Sequence, residues 1–136
     1  MNGVAYNIPK GVLNSDYQIV VDIHDRIMSN LDRPMPAVEQ LAKEANMSKT
    51  KFRNIFQKIF GSPIYQYHLA ARLELSKKLL LQNNFTITQI SYKVGFSHPP
   101  AFVTCFFKHF GFFPSTFREQ IYQNGSLQSS IQDSRV

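Results

Sequence analysis

Apolar residues recur along most of this chain at the three- and four-residue intervals that place side chains on one face of a helix. After Ser15-Asp16 the series is Ile19, Val20, Ile23, Ile27 and Leu31. Ser15 or Asp16 is the expected cap. The helix should close near Asp32-Arg33, because the residue before a proline such as Pro34 is pushed out of the helical region. Pro36 then suits the first turn of a second, short helix with Val38, Leu41, Ala42 and Ala45 as its stripe. Asn46-Met47-Ser48 reads as a connector. Ser48 caps a third helix, in which Phe52, Ile55, Phe56, Ile59 and Phe60 repeat up to Gly61.

Ser62-Pro63 opens a long helix reaching about Gln82, with Leu69, Leu73, Ser76 and Leu80 on one face. Asn83-Asn84 breaks it. A short helix starts at Thr86 or Thr88 and carries Ile87, Ile90 and Val94 as far as Gly95. Ser97 is the expected cap of the next, whose Phe102, Cys105, Phe106 and Phe110 face a core and which Gly111 ends. A last helix runs from Pro114 to about Tyr122. Residues 123–136 are polar and aperiodic and are expected to be disordered. No stretch alternates as a strand does, so the expected architecture is all-α with about seven helices.

Laid on itself, the chain repeats. Val38, Leu41, Ala45, Met47 and Ser48 match Ile87, Ile90, Val94, Phe96 and Ser97 at an offset of 49. After the extra His98 the offset is 50, and Phe52, Phe56, Lys58, Phe60 and Gly61 recur as Phe102, Phe106, Lys108, Phe110 and Gly111. Each copy is a short helix, a tight turn and a second helix with an aromatic stripe, which is the order of a helix-turn-helix. Two copies are few for a solenoid, and the helix between them is too long for one. The expected layout is therefore an N-terminal arm at 1–15, a first helix-turn-helix subdomain with the long linker helix at 16–82, a second subdomain at 83–122, and the tail. A linker helix of about 20 residues spans roughly 30 Å, close to the roughly 34 Å turn of B-DNA that separates two reading helices on one face of a duplex.

Charge sharpens this picture. The net charge is +6, and it is uneven. Residues 1–36 carry Lys10, Arg26 and Arg33 against Asp16, Asp22, Asp25 and Asp32. From Lys49 to Lys78 there are Lys49, Lys51, Arg53, Lys58, Arg72, Lys77 and Lys78, opposed within that window by Glu74 alone. A basic middle points to a polyanion, most often nucleic acid, although exposed lysines also serve plain solubility. One cysteine, Cys105, allows no internal disulfide and suits a reducing compartment. No apolar run is long enough for a membrane span and no signal core is present, so a cytoplasmic setting is expected. Cys105 and His109 share a helix face, yet no second pair stands at zinc spacing. A small thiol beside Phe102 and Phe106 is the ordinary explanation. No metal, cofactor or catalytic activity is expected.

Several long phrases then carry a resemblance: LAKEANMSKTKFRNIFQKIFG, the connecting SPIYQYHLAARLELSKKLL, and ITQISYKVGFSHPPAFVTCFFKHFG followed by FPSTFR. From about Pro36 to Arg118 the chain resembles the DNA-binding domain of the AraC/XylS family of bacterial transcription regulators. The resemblance implies a seven-helix unit that places two recognition helices in adjacent major grooves of double-stranded promoter DNA. RNA polymerase is an expected further partner, and the bacterial nucleoid the expected location. Such domains usually accompany a separate sensing domain, for which the residues before the first reader are too few. A small-molecule effector is thus expected only through a domain outside this sequence, with the chain either part of a longer protein or a short regulator of its own.

Carried over position by position, the resemblance assigns Thr50, Lys51, Arg53 and Asn54 to base reading. Arginine is suited to guanine and asparagine to adenine in bidentate pairs. Ser48, Lys49, Lys58, Ser97 and Lys108 are assigned to phosphates, which position without specifying. In the second reader the groove-facing positions are Pro99, Pro100, Val103 and Thr104. Here the chain departs from the family, which commonly has arginine where Thr104 stands and polar residues where Pro100 stands; none of the four can make a bidentate base contact, which leaves them to touch thymine methyls or to do little more than fit the groove. Two rivals stay open at this level: a protein-interaction module of the same fold with weak or no DNA binding, and a Cys105-dependent DNA-modifying domain.

Overall fold

The computed structural model describes the backbone of residues 7–133 and the side chains of residues 7–124. Among these residues it forms seven helices and no strand: α1 (Asn14–Met28), α2 (Val38–Glu44), α3 (Lys49–Phe60), α4 (Ile64–Gln82), α5 (Ile87–Lys93), α6 (Pro99–Phe110) and α7 (Pro114–Asp133). They divide into two compact units, Met1–Ala71 and Arg72–Val136, so α4 contributes its first part to one and its second part to the other.

The first unit is built on α1, α2 and α3. Val20, Ile23 and Ile27 of α1 meet Val38, Leu41, Ala42 and Ala45, and Phe52, Ile55 and Phe56 of α3 complete the core with Ile64. His24 ties three elements together. Its ring stacks on Phe60 at 3.9 Å between centroids, its Nε2 lies 2.9 Å from the Tyr67 hydroxyl, and its Nδ1 lies 2.9 Å from Asp25. A half-buried polar ring is kept hydrogen-bonded in this way rather than stranded in an apolar layer. Val12 also packs on this core, so part of the expected N-terminal arm belongs to the fold.

In the second unit Leu73, Leu80, Ile90, Val94, Phe102 and Phe106 are buried together. Lys77 lays its ammonium 4.6 Å from the Phe110 ring centroid and 5.4 Å from that of Phe117, a cation–π arrangement that lets a lysine border an aromatic cluster. The Arg72 guanidinium donates to the Gly95 carbonyl at 3.1 Å and lies over Phe96.

A left-handed turn of the same kind precedes each second helix, with one further residue, His98, in the second unit. Asn46 stands at φ 59° and Gly95 at φ 96°, the left-handed conformation that glycine takes freely and asparagine tolerates. Across it the Met47 N–H donates to the Ala42 carbonyl at 2.9 Å, and the Phe96 N–H to the Ser91 carbonyl at 2.9 Å. These six-to-one bonds satisfy carbonyls that a helix end leaves open. The repeat seen in the sequence is thus a repeat of backbone hydrogen bonds. At the far ends, Gly61 (φ 85°) and Gly111 (φ 84°) close α3 and α6 in the same conformation.

Several boundaries differ from expectation. α1 begins at Asn14 after an uncapped Leu13, which puts Ser15 and Asp16 in its first turn, where an acid favours the positive helix end. It stops well before Pro34. The Ser29 hydroxyl and the Asn30 amide donate to the carbonyls of Asp25 and Arg26, offering the last turn local side-chain partners in place of further helix. Leu31 therefore lies outside α1. Pro36 precedes the N-cap Ala37 of α2, and Leu69 is exposed while Leu73, Ser76 and Leu80 are buried. The segment expected to be a disordered tail is helical through Asp133. Once packing fixes the start of a helix, each further residue adds a hydrogen bond without a new nucleus, and no proline intervenes to stop it. Residues 134–136 lie outside the described residues.

Because each unit closes on its own pair of phenylalanines, Phe56→Ala and Phe106→Ala should each cost about 3–5 kcal/mol. Urea unfolding of the two variants measures this. A loss below about 1 kcal/mol in either would show that its ring is not part of a packed core.

Candidate nucleic-acid interface

In α3 burial divides the helix lengthwise. Phe52, Ile55 and Phe56 are buried, whereas Thr50, Lys51, Arg53, Asn54, Gln57 and Lys58 are all exposed. The N-terminus is held by Ser48, whose Oγ accepts the Lys51 N–H at 3.1 Å, as its role as a cap requires. No hydrogen bond or ion pair ties the side chains of Thr50, Arg53 or Asn54 to another described residue. Polar groups left unengaged on one face of a rigid, capped helix are available to a partner.

The lysines are less available than the linear charge pattern suggested. Lys49 is bonded to Glu39 of α2. Lys51 lies 3.2 Å from Asp16 of α1, whose side chain is only 15% exposed. Lys58 brings its ammonium beside Gly11, where an added Cβ would stand 3.7 Å from Nζ. Sequence reasoning found the basic cluster but not these acids, because they come from helices outside the basic window and meet it only in the folded unit. The hydrogen bond from Lys49 holds the Glu39 carboxyl below the usual glutamate range, helped by its own backbone N–H and by the charges of Lys49 and Arg53.

α6 repeats the division with different chemistry. Phe102 and Phe106 are buried, Pro99 and Val103 are half-buried, and Pro100, Thr104, Phe107 and Lys108 are exposed. The expected cap, Ser97, does not cap. His98 is the N-cap, with φ −130° and ψ 101° and no side-chain bond. The cause is the pair Pro99-Pro100: a proline forces the residue before it into extended conformation, so the helix cannot start earlier. Ser97 therefore stands one position outside, exposed. Cys105 is half-buried against the second core rather than fully inside it. His109 is exposed, its ring edge-on to Phe110. Among the described residues no group of three His, Cys, Asp or Glu side chains is placed to hold a metal ion, and no helix is long and apolar enough to cross a membrane.

One position escaped the sequence reading in each copy. Gln57 and Phe107 occupy equivalent places one turn beyond Asn54 and Thr104, and both are exposed. Their signal was in the helical period itself, since i and i+3 share a face.

A family model described as "Helix-turn-helix domain" matches residues 41–120, more than half of the chain. A crystal structure from Chromobacterium violaceum, described as a transcriptional regulator of the AraC-type DNA-binding domain-containing proteins, covers 79% of this chain and 93% of its own at 26% identity and a TM-score of 0.65. The chain belongs to the AraC-type helix-turn-helix family. Among curated relatives, the Msm operon regulatory protein of Streptococcus mutans is 36% identical over 107 residues, 79% of this chain and 37% of that protein. The lactose operon transcription activator of Staphylococcus xylosus is 28% identical over 88% of this chain and 41% of that protein. The chain thus spans well under half the length of either. The DNA-binding domain of AdpA, solved in complex with a target DNA, has the same fold, with a TM-score of 0.71 over 77% of this chain and 94% of that one.

The Glu39–Lys49 pair carries a pH consequence. A carboxyl whose folded midpoint is depressed contributes stability that is present above its unfolded value, about 4.3, and lost as pH falls through the lower folded midpoint. An NMR titration of the Glu39 carboxyl should show a midpoint below that of ordinary glutamates. Lys49→Met should return it toward the usual range; no movement would mean that Lys49 does not hold the carboxyl in solution.

Proposed function

We propose that the chain is a sequence-specific double-stranded DNA-binding unit of a bacterial transcription regulator, placing one recognition helix of each helix-turn-helix copy in the major groove of promoter DNA. The observation that carries this reading is α3: an unengaged polar face of Thr50, Arg53, Asn54 and Gln57 on a helix whose opposite face is locked by Phe52 and Phe56. A reading helix needs that combination, rigid on one side and chemically open on the other. In this reading Arg53 makes the bidentate guanine contact and Asn54 an adenine contact. Ser48 and Lys58 hold phosphates. Lys49 reaches phosphate by exchanging its Glu39 partner for DNA, a low-cost exchange because an exposed pair of this kind contributes about 0–1 kcal/mol, and Lys51 reaches base edges by leaving Asp16.

In the second copy Lys108 is the phosphate contact, with Ser97 exposed ahead of the helix to assist, while Pro99, Pro100, Val103 and Thr104 meet the groove without bidentate bonds. Specificity is therefore carried mainly by the first unit. The names of the relatives support a role in controlling transcription, with RNA polymerase as a partner and the nucleoid as the place of action.

Binding should weaken steeply with salt, because each phosphate neutralised releases counterions. Titration of duplexes selected from a random pool at two salt concentrations tests this, and absence of binding even at low salt would overturn the reading. Arg53→Ala should cost about 1–3 kcal/mol on a selected site and relax preference at one base pair. An unchanged preference in a repeated selection would remove Arg53 from base reading.

A further inference from the structure

The two copies of the repeat allow a comparison within one molecule. Where α3 carries Thr50, Arg53, Asn54 and Gln57, α6 carries Pro100, Val103, Thr104 and Phe107, of which only Thr104 has a side-chain hydrogen-bonding group, a hydroxyl beside its methyl. Pro100, Val103, Thr104 and Phe107 stand at i, i+3, i+4 and i+7, one continuous strip along the helix. Its end is built up with unusual care for a surface. Phe107 is 42% exposed and Phe113 is 47% exposed. The two rings stack at 4.6 Å between centroids with an interplanar angle of 26°. Neither ring is among the buried residues of the second core, nor among the half-buried ones packed on it. Two large apolar rings held against each other in solvent keep Phe107 in a fixed orientation while leaving its outer face open.

We propose that this strip reads thymine through its 5-methyl group, so that the second recognition helix specifies bases by apolar contact where the first does so by hydrogen bonds. The proposal rests on the DNA-binding reading above. Among the base edges of the major groove, thymine alone offers a methyl group, and apolar side chains together with the threonine methyl are its partners. The strip has no guanidinium, amide or carboxylate, so it lacks the groups that read guanine, adenine and cytosine most specifically, and its one hydroxyl, on Thr104, makes at most a single bond. The occupant is DNA rather than a protein partner because the strip sits at the positions equivalent to the polar reading face of α3. It is also followed directly by Lys108, the counterpart of Lys58 and a cation of the kind that seats phosphate. Phe113 acts as a positioning residue: it touches Phe107 and sets the angle at which that ring meets the groove.

The test uses the full chain and a duplex recovered from a random-sequence pool, with each thymine replaced in turn by deoxyuridine. Pairing is then kept and only the methyl is lost. Burying one such group is worth about 0.8 kcal/mol, so one or two thymines on the side read by the second unit should each show roughly fourfold weaker binding when demethylated. Thymines on the side that responds to Arg53→Ala should show no such loss. Val103→Ser and Phe107→Ser should make the chain indifferent to the same uracils, and Phe113→Ser should blunt the response without moving it to other positions. Helical circular dichroism of each variant separates this from unfolding.

Selected duplexes that bind with full affinity when every thymine is replaced would overturn the methyl reading and leave DNA binding intact. Failure to recover any duplex at low salt would overturn both. Uracil-insensitive binding, combined with self-association in sedimentation that Phe107→Ser abolishes, would assign the strip to a second copy of the chain instead.

Discussion

Burying Phe52 and Phe56 on one side of a short helix decides where every other side chain of that helix points. The helical period leaves no choice: with two rings one turn apart locked into the core, positions 50, 53, 54 and 57 must face outward. The same constraint acts through Phe102 and Phe106 on α6. Everything else in each unit supports that placement. α1 and α2, or α5 with the second part of α4, supply the apolar surface the rings need. The left-handed turn ahead of the helix fixes its angle of entry, and the glycine behind it fixes where it stops. The exposed polar face is a by-product of a core that admits only one rotation of the helix.

Such a design separates fold from specificity. Most residues shared by the two copies are those the core and the turns demand, namely the phenylalanine pairs and the closing glycine, with exposed Lys58 and Lys108 shared besides. The positions that differ most are the exposed ones, where substitution leaves packing untouched. That is why one copy presents Arg53 and Asn54 while the other carries Val103 and Thr104 on helices of the same length. Each unit has its own core, so change on one exposed face places little strain on the other.

Much of this was legible in the sequence because it depends on local period and punctuation. The apolar stripes, Ser48 as a cap, Gly61 and Gly111 as stops, and the repeat itself all act within a few residues of where they are written. Thr86 belongs with them: its hydroxyl and the Gln89 side chain bond reciprocally to each other's backbone, as a short-range motif should. What could not be read depends on folded neighbours or on competition between local signals. Asp16 and Glu39 neutralise lysines that seemed unopposed along the chain, because tertiary proximity ignores sequence distance. Ser97 lost its role to the conformational demand of the prolines after His98. The helix through Asp133 continues past a polar stretch because composition alone does not stop an already nucleated helix.

The two prolines have an effect beyond setting where α6 begins. A helix ordinarily starts with several N–H groups that have no partner inside it, and these give its first turn a grip on anions. α3 retains such donors at Lys49 and Thr50, with the third taken by Ser48. In α6, Pro99 and Pro100 carry no N–H at all, and the Ala101 N–H is already given to the His98 carbonyl at 3.0 Å. The first turn of this helix therefore has a dipole but no open backbone N–H at its first three positions. The two copies of the repeat therefore differ in what their first turns keep open: backbone donors in α3, and none at the first three positions of α6.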